Sequence, residues 1–455
     1  MARWLLLLTL AFACGPDDTP QVLDARIVTT DGANPLSTGE YDRISITWAQ
    51  DGFDPLTTEL DLGGDVFEIP FELDPIASAR VRVELTGPSG RAIGAPPYFP
   101  PLAAFGFLRI VVGEPGTCAV VARFDAREPA RAESGYLRWG GFVLQFGGVA
   151  ASGPSDSVTF SDLYWASAET GDPLGDLPER AGPTKATLLG RPDEDRSDHF
   201  ALVISDGGVW RYQLNGAGAD GERARPMTLH ATASAASALA RTALGVVFVA
   251  GGGDASTPSV EASRIAADRR VTLGRLLGAR AFAGSAPAGT EGVVVAGGAR
   301  AAGAPFAEWI DLATFASTPI AEPTAALDRR APLVLEGERS HWIVGGTDAE
   351  GGSLTTTWIL SGCPEACTLE PGPEVNLGPA LRAEGLTLTD GLSVFTAVEE
   401  GGWHLEPIAD LAHRRDGAGI TAYESGIVFV HGGRGVDGPR LDGELCFPAE
   451  LTALE

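Results

Sequence analysis

The chain has 455 residues, with 60 Asp and Glu against 33 Lys and Arg, a formal charge of -27 and an isoelectric point of about 4.5. Such a surface repels polyanions, and no basic cluster with interleaved aromatics interrupts it, which excludes nucleic acid and anionic membrane surfaces as partners. Hydrophobic residues make up 44%, enough for a large core, while 59 Gly and 32 Pro punctuate the chain in the manner of an all-β protein, and no amphipathic helix stands out.

At the N-terminus, Arg3 precedes an apolar run from Trp4 to Phe12 and small residues before Cys14. The run is too short to span a bilayer and has the layout of an export signal. It resembles a bacterial lipoprotein signal, with Leu10 one place earlier than such signals prefer. The resemblance implies cleavage after residue 13, acylation of Cys14 and a polar tether over 14–21. The expected location is therefore outside the cytoplasm, lipid-anchored, either periplasmic or at the cell surface. A plain signal peptide is the competing reading.

The next strands are expected at Arg43 to Trp48, Phe67 to Leu73, Arg80 to Leu85 and Phe107 to Val112, where apolar and polar residues alternate between Gly, Pro, Asp and Ser. Period two is the mark of half-buried antiparallel strands. Residues 22–113 therefore read as a small β-sandwich of immunoglobulin-like size. Val112 to Thr117 reads as a linker, and Cys118 to Ala126 as the first strand of a larger domain over 118–455.

That domain is repetitive. Five apolar strands close on a glycine pair, at Gly147 and Gly148, Gly251 and Gly252, Gly297 and Gly298, Gly345 and Gly346, and Gly432 and Gly433. An arginine precedes each, at Arg131, Arg241, Arg280, Arg330 and Arg415, and two further units keep the arginine (Arg180, Arg382) without the pair at the strand end. The six steps cover 284 residues, or about 47 each, near the ~50 of a four-stranded propeller blade. Glycine suits the position, because a strand turning sharply in crowded surroundings needs positive φ or a close backbone approach. The Ala-rich stretch Ala231 to Gly245 falls between two strands at this spacing and reads as loop and inner strand.

Apolar strand, Gly-Gly, variable loop and a strand such as Ser161 to Pro178 resemble the kelch repeat over about 325 residues. The first unit matches best, through Gly147, Gly148 and Tyr164; most others lack the family's tyrosine and tryptophan. The resemblance implies an all-β protein with a seven-bladed kelch-type β-propeller behind the small sandwich. Because propellers commonly close by pairing an N-terminal strand with C-terminal ones, Cys118 and Cys446 are candidates for a bridge, against buried free thiols or pairing with the Cys-Pro-Glu-Ala-Cys turn. In that turn Cys363 and Cys367 read as a local bridge, with free thiols or a metal site as rivals.

No nucleophile elbow, zinc-protease helix, phosphate loop or dinucleotide fingerprint occurs. The acidic loop Arg191 to His199 lacks the ligand alternation of a calcium site. His199, His230, His341, His404, His413 and His431 are scattered, with His341 and His431 placed to face a channel. Kelch propellers most often bind partners through loops on one face, so the expected function is a non-catalytic binding or scaffold module for a protein or glycan, monomeric and without cofactor or metal. The alternative is a secreted kelch enzyme, glycan-active or similar to copper radical oxidases. That family needs a tyrosine crosslinked to cysteine, a second tyrosine and two histidines, to be found among Tyr41, Tyr98, Tyr136, Tyr164, Tyr212 and Tyr423 and these histidines.

Overall fold

The structure is a computed structural model that describes residues 21–35, 39–49, 54–61, 68–71, 80–96, 108–121, 130–139, 142–162, 176–190, 199–214, 223–320 and 329–452. Cys14 and Tyr164 lie outside the described residues. Every described element is a strand.

An N-terminal module comes first. Its seven strands join in one hydrogen-bonded order, with Leu56–Asp61 at one end and Glu68–Phe71 at the other. The first strand, Gln21–Thr29, serves two neighbours: Gln21 to Asp24 pair antiparallel with Glu68–Phe71, and Ala25 to Thr29 pair parallel with Leu108–Gly113. The alternating burial of Arg80–Gly87 matches the period-two expectation, with Val81, Val83 and Leu85 inside.

Seven sheets follow, apart from two short ribbons. They are named I to VII by their inner strands: Gly135–Trp139, Thr184–Leu189, Ala238–Arg241, Gly284–Ala288, Leu333–Glu336, Arg382–Glu384 and Gly419–Ala422. The second strand is nearly continuous in apolar residues in most of them, as in Phe200–Ser205 and Gly292–Ala296, both buried throughout, with Thr387–Thr389 of sheet VI the exception. Alternation explains why. Phe200, Leu202 and Ile204 pack against sheet III, while Ala201 and Val203 pack against sheet I. A strand sandwiched on both faces has no side to give to water. Equivalent clusters join III to IV, IV to V, V to VI and VI to VII, and Val143 of sheet I meets Phe429 and Tyr423 of sheet VII. The sheets therefore close on themselves around a channel edged by the inner strands.

Closure uses both ends of the chain. The outer strand of sheet VII is Thr117–Val121, paired antiparallel with Gly443–Phe447. The segment read as the domain's first strand is thus the last strand of its last sheet. Cys118 and Cys446 form a disulfide there, and a second joins Cys363 to Cys367. The module is fixed to the same sheet, because Ile93 and Ala95 share a core with Phe447 and Leu451, and Arg82 donates to the Leu451 carbonyl at 2.9 Å.

The repeat has a different register from the one read in sequence. The recurring buried arginines are Arg131, Arg280, Arg329 and Arg415, none more than 2% exposed. Each donates through Nη1 to the carbonyl of the first glycine of its own sheet's pair, to Gly147, Gly297 and Gly432 at 3.1 Å and to Gly345 at 2.8 Å. Two residues later the backbone turns left-handed, at Glu133, Phe282, Ala331 and Gly417, with φ of 56°, 57°, 50° and 65°. Arg330 is therefore a misplaced mark; Arg329 does the work. Arg241 lies on an inner strand and Arg180 is exposed, so neither belongs to the set. In sheet III the role falls to His230, whose Nε2 meets the Gly251 carbonyl at 2.9 Å and whose Nδ1 meets Ser263 Oγ at 2.9 Å.

The glycine pairs serve the seam between sheets. Gly252 donates to the Arg280 carbonyl at 3.1 Å, while Arg280 binds the next pair with its side chain. At Gly251 a Cβ would stand 2.3 Å from that same carbonyl oxygen. Only glycine permits this approach at φ 68°.

Candidate functional site at the channel mouth

The arginine-bearing loops and the glycine pairs lie at the same end of the ring, where each inner strand begins, and this end forms the channel mouth. Farther along the inner strands the charges are used structurally. Arg138 donates to the Ala422 carbonyl at 3.1 Å, and Glu384 accepts from the Ala422 N–H at 2.7 Å. Burial raises the Glu384 pKa, and the Arg138 charge pulls it back. Arg241 donates to the Gly190 carbonyl at 2.9 Å, tying sheet III to sheet II.

At the mouth two cations are used otherwise. Lys185, second residue of the sheet II inner strand, donates Nζ to the Ser237 carbonyl at 2.6 Å. Arg382, first residue of the sheet VI inner strand, donates Nη1 to the neighbouring Leu381 carbonyl at 3.0 Å. Among the described residues neither forms an ion pair with a carboxylate. Burial, with the Arg382 charge as a smaller second cause, lowers the Lys185 pKa to about 8. Burial also lowers the pKa of Arg382, opposed by Tyr136 and Glu133. Yet Arg382 keeps exposed surface and Lys185 is only half-buried. Both facts hold together for side chains that face water enclosed by a ring.

The rim beside them is rigid. Glu133 holds its left-handed turn while its carbonyl accepts from the Thr184 N–H at 2.9 Å, one residue before Lys185. Glu133 and the Arg382 guanidinium flank Gly417, where a Cβ would lie 3.6 Å from one and 3.8 Å from the other. The Tyr136 ring covers Gly419, its hydroxyl lies beside Gly432 and accepts from Gln145 Nε2 at 3.3 Å, and His431 packs edge-on at 5.7 Å. Burial lowers the His431 pKa to about 3, so this imidazole stays neutral at neutral pH.

The sequence-derived candidates do not gather into a redox centre among the described residues. All four propeller cysteines are bridged, so none is available for a link to tyrosine. His341 Nε2 bonds the Pro287 carbonyl at 2.6 Å, His230 holds a glycine pair, and His404 is exposed. Among the described residues no three His, Cys, Asp or Glu side chains converge. The ten repeat glycines, by contrast, all take positive φ. Sequence reading missed Lys185, although its signal was plain: it is the single lysine of the chain.

No family model matches the chain, and no curated protein does. Solved structures do. A fungal alcohol oxidase of the AA5 family, in complex with copper, is 13% identical with a TM-score of 0.50, covering 74% of this chain and 76% of that one. The structure of YjhT is 12% identical with a TM-score of 0.35, covering 64% of this chain and 94% of that one. The fold is a kelch-type β-propeller. At these identities the propeller resemblance extends to the fold and stops there.

Proposed function

We propose that the protein is an exported, lipid-anchored recognition module: a seven-bladed propeller, carried on an immunoglobulin-like sandwich and anchored through Cys14, that binds an acidic group of a glycan or protein partner at its channel mouth. One observation carries this reading. Lys185 and Arg382 face the channel without a carboxylate partner among the described residues, in a chain whose net charge is -27. Burial first, and the Arg382 charge second, lower the Lys185 pKa, so the protonated amine carries a cost there. A bound anion relieves it. Blades fixed by buried arginines and glycine seams give these side chains a rigid platform, as recognition loops on a stiff scaffold require.

The reading is tested by probing arrays of acidic and neutral glycans and peptides with the wild-type protein and with Arg382→Glu. Acidic members should bind the wild type and lose most of their signal with the variant, at unchanged thermal stability. Binding patterns that are the same for both proteins would overturn it.

A further inference from the structure

The fourth strand of a propeller sheet has one open edge, and its residues decide whether that edge can take another chain. Among the fourth strands described, those of sheets II, IV, V and VI each carry a proline, at Pro226, Pro319, Pro371 and Pro407. Thr117–Val121 of sheet VII has no exposed residue. Sheet III differs. Its fourth strand, Val271–Ala281, is the longest described strand and holds neither a proline nor a carboxylate. It pairs on one side with Ser259–Ile265, and no described strand meets its other side before Arg280, which pairs with Arg300. Val271, Leu273 and Arg275 alternate along one face, and Val271, Leu273 and Leu277 are 36%, 64% and 52% exposed. Large apolar side chains left in water on an unpaired edge are what an added strand would cover. The edge is also rigid, since the Phe315 ring occupies the space that a Cβ on Gly274 would need and the Leu277 N–H donates to Glu308 Oε2 at 2.8 Å.

Charge on this edge runs against the rest of the molecule. Arg269, Arg270 and Arg275 lie on or just before the strand, and Asp268 is the one acidic residue between Ile265 and Arg280 in a chain of net charge -27. Arg270 pairs with Asp268 at 2.5 Å, and Arg269 stacks over Phe200 at 4.4 Å. Arg275 is exposed and forms no ion pair among the described residues. Beyond Leu277 the edge meets a hollow of about 530 Å³ walled by Arg300, Ala301, Pro305 and Pro319.

We propose that this edge takes an extended acidic polypeptide segment as an added strand beside Val271–Leu276, with its carboxylates on the arginines and an apolar side chain in the hollow by Leu277. Main-chain bonds along the edge hold the segment, and its alternate side chains select it. A second copy of this chain is the poorer occupant, because pairing two such strands brings both sets of arginines to one seam. The surface lies on the outer rim of the ring, and the inference does not rest on recognition at the channel mouth.

The test uses the full chain and a fluorescent, capped peptide that alternates Glu with Val, followed by anisotropy and by hydrogen exchange of backbone amides. The expected result is saturable binding that slows exchange from Val271 to Leu276. Arg275→Glu, which sets like charges against each other, should weaken it at least about tenfold. The same peptide with alternate N-methyl amides, which removes ladder donors and leaves the protein untouched, should not bind. Absence of saturable binding would overturn the proposal, as would equal binding of the N-methylated peptide or of one alternating Lys with Val. Slowed exchange confined to the channel mouth counts against it too. Dimerisation of the chain that slows exchange at Val271 to Leu276, without peptide binding, would assign the edge to a second copy instead.

Discussion

Cys118 and Cys446 stand directly opposite one another in the antiparallel pair that closes the ring, with Cα atoms 3.9 Å apart and 328 residues between them in sequence. The bridge therefore links the strand that enters the propeller to the strand that leaves it. In a closed ring this seam is the place where an open edge would expose backbone donors and acceptors.

Replacing Cys118 and Cys446 by Ser should lower stability by about 2–5 kcal/mol, since the crosslink restricts a very long loop of the unfolded chain. The five-residue loop closed by Cys363 and Cys367 should matter less, at most about 2 kcal/mol. Denaturant midpoints of the two double variants provide the comparison. Equal losses would show that the closing seam has no special weight.

Arg280 and Glu308 are both fully buried and paired at 2.8 Å. Arg280→Met leaves that carboxylate without its partner and strips the Gly297 and Phe306 carbonyls of a donor. The loss should be about 3–5 kcal/mol. Adding Glu308→Leu should recover part of it, though not all, because Glu308 also accepts from the Leu277 N–H and the Ser317 hydroxyl. Chemical denaturation of single and double variants measures the recovery.

At Gly252 the backbone has φ 117°, and a Cβ would fall 2.1 Å from the Thr232 carbonyl oxygen. Gly252→Ala should cost upwards of about 2 kcal/mol. Gly289→Ala, also at positive φ but with open space around it, carries only the conformational cost of about 1 kcal/mol. A thermal melt that ranks the two in the opposite order would contradict the seam role of the glycine pair.

Much of this fold was legible because its strongest signals are local. Second strands that are apolar but for Gln145 before Gly147–Gly148, and apolar throughout before Gly297–Gly298, announce strands buried on both faces and turned through positive φ. The arginine mark was legible only in part. Arg329 and Arg330 are adjacent and identical in type, and only the bond to the Gly345 carbonyl separates them. His230 could not be matched to Arg131 by composition, since the shared feature is a donor aimed at a glycine carbonyl. The channel mouth was illegible for a different reason. Lys185 and Arg382 are 197 positions apart in sequence, and what joins them is the curvature of the ring.

Lys185 gives a pH test of the mouth. Its folded pKa of about 8 lies below the ordinary 10.5, so between these values the unfolded chain binds more protons and stability rises with pH. Below pH 8 the penalty of burying the charged amine is present in full. Lys185→Met should therefore be more stable than wild type at pH 7, and the difference should shrink as pH rises from about 8 to 10.5. Denaturation curves across this range check the sign, and a difference that does not change with pH would mean that the amine is freely solvated.

The recognition claim meets its most direct test through the single lysine. The neutral acylating reagent N-hydroxysuccinimidyl acetate, followed by peptide mass spectrometry, reads the accessibility of Lys185 without interference from other side-chain amines. The account predicts that Lys185 is acylated in the folded protein, that glucuronate slows the reaction while glucose does not, and that Arg382→Glu abolishes the protection. Acylation that proceeds at the same rate with glucuronate, with glucose and with neither would contradict it.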